Sequence, residues 1–561
     1  MDPGPGTGPW PSQQGSLLPA VGPVDPVATG EWPATDWPTG EWPRRDELPR
    51  PRSASGQFTA EQFMGEARAV PRGERRAGQA APVKSSVDWS RIRRHDDNRP
   101  EPGPQPAAAL LPPPAGPRVP AGPQAPVGPA PTIGHEHRPD AMPRLLAAAR
   151  SDGEPAGLEE HLRTLGPLPS GDPVTTLRLV AESGLRGRGG AGFPVGAKMR
   201  AVVDAEGRAM VVVNGTAADP LGEKDTFLLT HLPHLILDGA QVAAEAVAAR
   251  QIVVYVVEGP GAFRVMEQAL AERRRARHDV VPMKLIAAPD RYVAGEASAV
   301  ANALSGGPAL PTFTPPHMAE RGVRGRPTLV QNVETLANLA LLARHGAWWF
   351  RSVGTDAEPG SILVTARGAV RQPVVTEVPG GTTVDQVVQE AGGLAEPVSG
   401  LLIGGCAGRW LPPDTALHAP LSHAGLAAAG GALGVGSVII MPERACGLAE
   451  TARLVRYLAD EVAGQCGSCL NGLPAIAETL TALAECQADR GTVRRLFRWC
   501  GMVPGRGACR HPDATAALVA STLTVFTEDI DRHLDGWCGR PARGVLPVPE
   551  GGRRPGGRAT R

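Results

Sequence analysis

The chain has 561 residues, enough for about two to four domains that each bury a core. Lys plus Arg and Asp plus Glu are balanced at 57 each, so no overall field favours nucleic acid or a membrane surface. The opening Met-Asp-Pro-Gly-Pro-Gly has neither a basic nor an apolar stretch, which predicts a cytoplasmic protein without an export signal, in a reducing compartment.

Residues 1–140 are rich in Pro, Gly and Ala and carry an imperfect repeat centred on Trp32, Trp37 and Trp42, each followed by proline. Such composition buries too little apolar surface to offset ordering entropy and predicts disorder. The repeat reads equally as a docking tag or as an unselected tail. Residues 141–345 change texture to α/β. Helices are predicted over 141–165, 175–183 and 234–250, strands over 210–213 and 251–257, and a glycine-dense loop over 184–198. Alternating strands and helices imply a parallel sheet. Residues 359–411 read as a small β-grasp-like module of strand, turn, strand, helix and strand. Thr383 and Gln386 form its capping box, and Gly392-Gly393 its helix stop.

The uncharged run 424–441 is nearly long enough to span a membrane, but Gly425, Gly430, Gly431, Gly434 and Gly436 interrupt it. It predicts a loop entering a buried strand, with no membrane insertion. Residues 436–537 predict a four-helix bundle. Its apolar faces are Leu448 to Val462, Ile476 to Leu483, a shorter helix over 493–499, and Leu518 to Leu534. Residues 538–561 form a basic, Gly/Arg/Pro-rich tail, again predicted to be disordered.

Two constellations carry chemistry. Gly187-Arg188-Gly189-Gly190-Ala191-Gly192 matches G-x-G-x-x-G, but a dinucleotide turn should follow a strand and residues 175–183 read as helix. The residues themselves predict an anion-binding nest flanked by Arg186, Arg188 and Lys198, with a flexible surface loop as the bland alternative. All eight cysteines fall after residue 405: Cys406, Cys446, Cys466, Cys469, Cys486, Cys500, Cys509 and Cys538. A C-x-x-C at Cys466 and Cys469, followed by Cys509, predicts soft-metal ligation rather than a disulfide framework. Iron–sulfur and zinc sites usually take four protein ligands, and three are placed.

With these pieces in order the chain resembles the NADH-binding flavoprotein subunit of respiratory complex I and its relatives in NAD-linked hydrogenases and formate dehydrogenases, over about residues 141–537. Three segments carry the resemblance: Glu182-Ser-Gly-Leu-Arg-Gly-Arg-Gly-Gly-Ala-Gly-Phe-Pro-Val-Gly-Ala-Lys198, Tyr292-Val-Ala-Gly-Glu296-Ala-Ser-Ala-Val, and Arg326-Pro-Thr-Leu-Val-Gln-Asn332-Val-Glu-Thr-Leu-Ala-Asn338. It implies a Rossmann-like FMN domain, an SLBB-like β-grasp module and an iron–sulfur-binding helical bundle. NADH would deliver a hydride to FMN, which passes electrons singly to a 4Fe–4S cluster, with no catalytic side chain beyond the cofactors. FMN would lie on Gly187, Arg188, Gly189, Gly190 and Gly192. Phe193, Lys198, Asn214, Asp219, Tyr292, Gly295, Glu296 and Asn332 would be the further cofactor contacts. Cys466, Cys469 and Cys509 match three cluster ligands, with Cys500 or Cys486 as possible fourth. The implied partners are other redox subunits or a ferredoxin-like protein.

The chain also departs from the family's pattern. The cluster loop C-x-x-C-x-x-C is here Ala463-Gly-Gln-Cys466-Gly-Ser-Cys469, so a neighbour substitutes, or the cluster is three-iron, labile or absent. The family's N-A-D-E-x-E-P-G falls on Asn214-Gly-Thr216-Ala217-Ala218-Asp219-Pro220-Leu221, and its second Glu after Tyr-x-x-Gly is Ala297. Of the aromatics that stack on adenine Phe193 remains, while Ala201 and His317 replace the others and Thr314 replaces the lysine of K-P-P-F. Base–aromatic stacking is worth ~1–3 kcal/mol, so two losses weaken NADH by roughly two or more orders of magnitude. Three functions follow: an NAD(P)H-fed flavoprotein, an electron relay fed by a protein donor, or a scaffold subunit without cofactors.

Overall fold

A computed structural model describes residues 132–133, 144–313 and 317–549, all within one unit, Gly116–Arg561. The Trp-Pro repeat, Thr314 and the end of the chain from residue 550 lie outside the described residues. Thr132–Ile133 (β1), inside the stretch expected to be disordered, makes a two-residue strand.

The first layer is a parallel sheet of Met210–Gly215 (β2), Ile252–Val257 (β3), Met283–Ala288 (β4) and Thr328–Asn332 (β5), in the order β4-β3-β2-β5. Val211 to Val213 and Val253 to Val256 are continuous apolar runs because helices cover both faces of this sheet. One face packs on the helices Pro233–Ala246 and Val333–Arg351, the other on Ala297–Leu304. The helix expected over 141–165 divides into a short 3-10 turn, Leu145–Ala148, and the helix Leu158–Leu165, separated by a loop that contains Gly153 and Pro155.

The second sheet adds Ser361–Gly368 (β6), Val374–Pro379 (β7), Val398–Ile403 (β8), Arg409–Leu411 (β9) and Ser437–Pro442 (β10), in the order β1-β7-β6-β10-β8-β9. The capping box of Thr383 and Gln386 forms on the helix Val384–Glu390. The run 424–441 does lead into a buried strand, and β10 lies parallel to β6 and antiparallel to β8. This sheet therefore extends beyond residue 411, because β10 supplies its central strand. No described helix is long and apolar enough to cross a membrane.

The helical unit comprises Gly447–Asp460, Leu473–Ala484, Arg490–Met502, His511–Val525 and Thr527–Leu534. The last two were expected as one helix. Phe526 breaks it (ψ 40°), and its ring packs edge-on against Trp410 at 5.0 Å. The tail expected from residue 538 is also corrected, because Leu546 and Val548 are buried in the bundle's core. Its physical cause is Glu450, a fully buried carboxylate that accepts the N–H groups of Arg543 (2.6 Å), Val545 (3.2 Å) and Leu546 (3.3 Å).

Candidate cofactor sites

The helix Pro173–Ser183 ends on Gly184 in the left-handed region, and the glycine loop that follows reaches the carboxyl end of β5. A Cβ on Gly189 would sit 3.1 Å from Asn332 Cβ, and one on Gly192 would overlap the His423 imidazole. Gly190 and Gly192 take φ of 108° and 62°, in the region that glycine adopts without strain. The loop closes through the Gly187 N–H on Phe193 O (2.9 Å). Strand carboxyl ends are where ligands bind in open α/β sheets.

Lys198 stands one turn into the helix Val195–Asp204 and donates to Val330 O on β5. Among the described residues it forms no ion pair, and burial pulls its ammonium down to about 8. A cation held this way beside a glycine nest suits a phosphate.

Arg188 does something else. Its guanidinium is buried and pairs with Glu358 (2.8 Å), whose second oxygen takes His423 Nδ1 (2.8 Å), and it also donates to Ser361 O (3.2 Å). Its backbone stays with the loop, while its charge is paired with Glu358. The partner that redirects it, Glu358, lies far along the chain.

Lys224, which sequence reasoning missed, lies under the loop instead. Its buried ammonium donates to Arg188 O (3.0 Å) and pairs with Asp225 (2.7 Å) and Glu334 (2.8 Å). The charged triplet Glu223-Lys224-Asp225 was the available signal.

Asn214 and Gly295 meet at the carboxyl end of β2, where Asn214 Nδ2 donates to Gly295 O (2.8 Å) and Oδ1 accepts from Thr216 (3.0 Å). A Cβ on Gly295 would press on Thr216 Oγ1 at 2.7 Å. Glu296 caps the helix Ala297–Leu304 by accepting from Ser298 N (2.9 Å) and Ala299 N (3.1 Å). Asn332 caps Val333–Arg351 through Glu334 N (3.0 Å) and donates to Asp225 (2.7 Å).

Asp219 turns away from this group. Its oxygens accept from Leu221 N (2.9 Å) and Cys406 N (2.9 Å), and burial raises its carboxyl. It fastens the loop after β8. Phe193 is 40% exposed and Phe313, which sequence reasoning passed over, is 73% exposed; Ala201 and His317 are exposed too.

Tyr292 joins this region to the bundle. Its N–H donates to Glu461 (2.9 Å), and its ring lies 5.3 Å from His511 and 6.4 Å from Tyr457. Burial, then the nearby Asp219 and Cys406, push its hydroxyl well above the usual range.

The cysteine loop enters a short π-helix, Ser468–Gly472. Burial raises the Cys466 thiol, but the N–H groups of Ala508, Cys469 and Ser468 outweigh it and leave it lowered. Burial, then Cys466 and Cys509, push Cys469 up to about 12. Burial also raises Cys509, helped by Glu296 and Cys466. The Cys469 N–H donates to Cys466 O (3.0 Å), and Ser468 Oγ donates to Val503 O (3.4 Å), which holds the cysteine loop against the segment that leads to Cys509. Cys500 sits in the bundle core on Arg490–Met502, and burial pushes it up to about 12. Cys486 points elsewhere, with its Sγ 3.4 Å from His533 Nδ1. Ala463 offers no donor. The donor set therefore fits an iron–sulfur cluster through three cysteine sulfurs, with backbone N–H groups favouring the thiolate at Cys466.

Comparison with known proteins follows the same division of the chain. Residues 180–341 match the Nuo51 FMN-binding domain, 363–402 the SLBB domain, and 449–533 the NADH-ubiquinone oxidoreductase-F iron-sulfur binding region. The second of the NADH-quinone oxidoreductase F subunits of Rhizobium meliloti is 30% identical over 377 residues, covering 65% of this chain and 89% of its own length. The corresponding F subunit of Streptomyces coelicolor is 29% identical over 378 residues, covering 65% and 84%. An NAD+-reducing [NiFe]-hydrogenase in its H2-reduced state superposes with a TM-score of 0.63 at 28% identity, over 72% of this chain and 68% of that chain.

Proposed function

The chain belongs to the family of NADH-quinone oxidoreductase F subunits, and from that premise we propose that it moves electrons from a reduced nicotinamide nucleotide through FMN to an iron–sulfur cluster. It does so as a cytoplasmic subunit of a larger redox assembly. The observation that carries this reading is the join between the two sites: Tyr292, three residues before Gly295 at the flavin end, donates its N–H to Glu461 (2.9 Å) and packs its ring 5.3 Å from His511, two residues after Cys509.

The chain's own residues position and insulate. The glycine nest and Lys198 hold the flavin phosphate, while Asn214, Gly295 and Asn332 set the floor beside it. The buried Lys224 keeps that floor fixed through Asp225 and Glu334. Cys466, Cys469 and Cys509 hold the cluster. Bound FMN supplies hydride acceptance and single-electron release, and the cluster supplies the next single-electron carrier. Reduction of an artificial acceptor by NADH or NADPH with anaerobic holoprotein tests this. Turnover that K198M abolishes is expected, and a holoprotein inert to both nucleotides contradicts it.

A second reading is favoured by one observation. Ala201 and His317 leave the adenine side open where the resemblance expects aromatics. A ferredoxin-like protein would then feed electrons in at the cluster. C466S and C469S should abolish reduction by that donor, and an unchanged rate removes this alternative.

A further inference from the structure

Cys446, Cys486 and Cys538 take no part in the sites above, yet they gather on one histidine. Cys446 caps the helix Gly447–Asp460, His533 lies in the last turn of Thr527–Leu534, and Cys538 opens the segment that follows. Cys446 Sγ is 3.2 Å from His533 Nε2, and the ligand atoms of Cys446, His533 and Cys538 all lie within 4.8 Å of one another. Atoms that bind one zinc ion at about 2.0–2.3 Å sit within roughly 4 Å of each other, so a small contraction closes the set.

The surroundings favour an ion. His533 Nδ1 is taken up on the other side of the ring, 3.4 Å from Cys486 Sγ, so Nε2 is the nitrogen turned toward Cys446. Cys446 and His533 are buried, while Cys538 is partly exposed and leaves a way in. Asp529, one turn before His533 on the same helix, is also buried. Its Oδ1 pairs with Arg532 (2.9 Å) and Arg540 (3.4 Å), but its Oδ2 has no hydrogen-bond partner among the described residues. An unpaired carboxylate oxygen in the interior is costly unless something answers it.

We propose that Cys446, His533 and Cys538 bind one Zn2+, with Asp529, one turn earlier on the helix of His533, as the candidate fourth donor, at a site separate from the iron–sulfur ligands. Mixed nitrogen and sulfur donors at this spacing suit a single ion rather than a cluster. Binding displaces the protons of both thiols, and no electron moves. The ion ties the bundle's first and last helices to the segment after Trp537. That segment already docks through the Cys446 N–H on Pro541 O (3.2 Å) and through buried Leu546 and Val548.

The test counts zinc and iron on the full chain purified with reductant and without oxygen, beside C538S, H533A and C466S. About one zinc per chain is expected in the unaltered protein and in C466S. It should fall about tenfold or more in C538S and H533A, with iron unchanged. Zinc absent from the unaltered chain, zinc lost in C466S instead, or a Cys446–Cys538 disulfide in that preparation overturns the proposal. If C538S and H533A do not fold, cobalt(II) titration of the unaltered chain decides. Tetrahedral bands with thiolate charge transfer that persist in C466S support the site, and their absence overturns it.

Discussion

Lys198 is a partly buried cation with a carbonyl and, among the described residues, no carboxylate against its ammonium. Its folded pKa of about 8 lies below the ordinary 10.5, so between those values the unfolded chain binds more protons. Stability of flavin-free protein should therefore rise with pH across that window, and the penalty should be fully present below it. A bound phosphate supplies the counter-charge and flattens the slope. Urea midpoints from neutral to alkaline pH, with and without FMN, check both statements; a flat profile without FMN contradicts them. Ala463 gives the matching prediction for the cluster. A463C places a fourth thiolate in the C-x-x-C-x-x-C spacing, so iron per chain should rise and cluster bleaching in air should slow. Unchanged iron content would mean that a fourth donor already exists.

Where elements meet, buried charge fixes the flavin loop to the second sheet. Burial raises Glu358, but the His423 and Arg188 contacts prevail and hold it down to about 2, against an ordinary 4.5. Its contribution is complete above 4.5 and is lost as the pH falls through about 2. E358Q strands the Arg188 guanidinium in the interior and should cost about 3–5 kcal/mol in urea unfolding, with weaker FMN retention. A loss below 1 kcal/mol would show that Arg188 finds another partner. Elements set by local chemistry were legible in the sequence, as the capping box at Thr383 and Gln386 and the strands over 210–213 and 251–257 show. Those set by distant partners were not. Leu518 to Leu534 keeps a helical apolar period through a break that Phe526 makes by packing on Trp410. Strand β10 was legible as a buried strand, but not its place between β6 and β8 in the second sheet.

At the scale of the whole molecule, a parallel sheet presents the glycine loop, a second sheet braces it, and a helical unit holds the thiols. Residue types and spacing revealed this much, since glycines, a lysine and a C-x-x-C state their chemistry locally. They could not reveal that Arg188 and Asp219 serve as braces, because Glu358 and Cys406 come from other parts of the chain. Nor could composition show that the Gly/Arg/Pro-rich segment after Trp537 is held down by Glu450. The central claim is that the flavin and cluster sites form one path. Its most direct test is an anaerobic titration of iron- and FMN-assayed holoprotein with NADH and then NADPH, followed by absorbance and by electron paramagnetic resonance. The account predicts flavin bleaching together with a reduced-cluster signal, and loss of that signal alone in C469S. Stoichiometric flavin and iron that only a chemical reductant can reduce would contradict it.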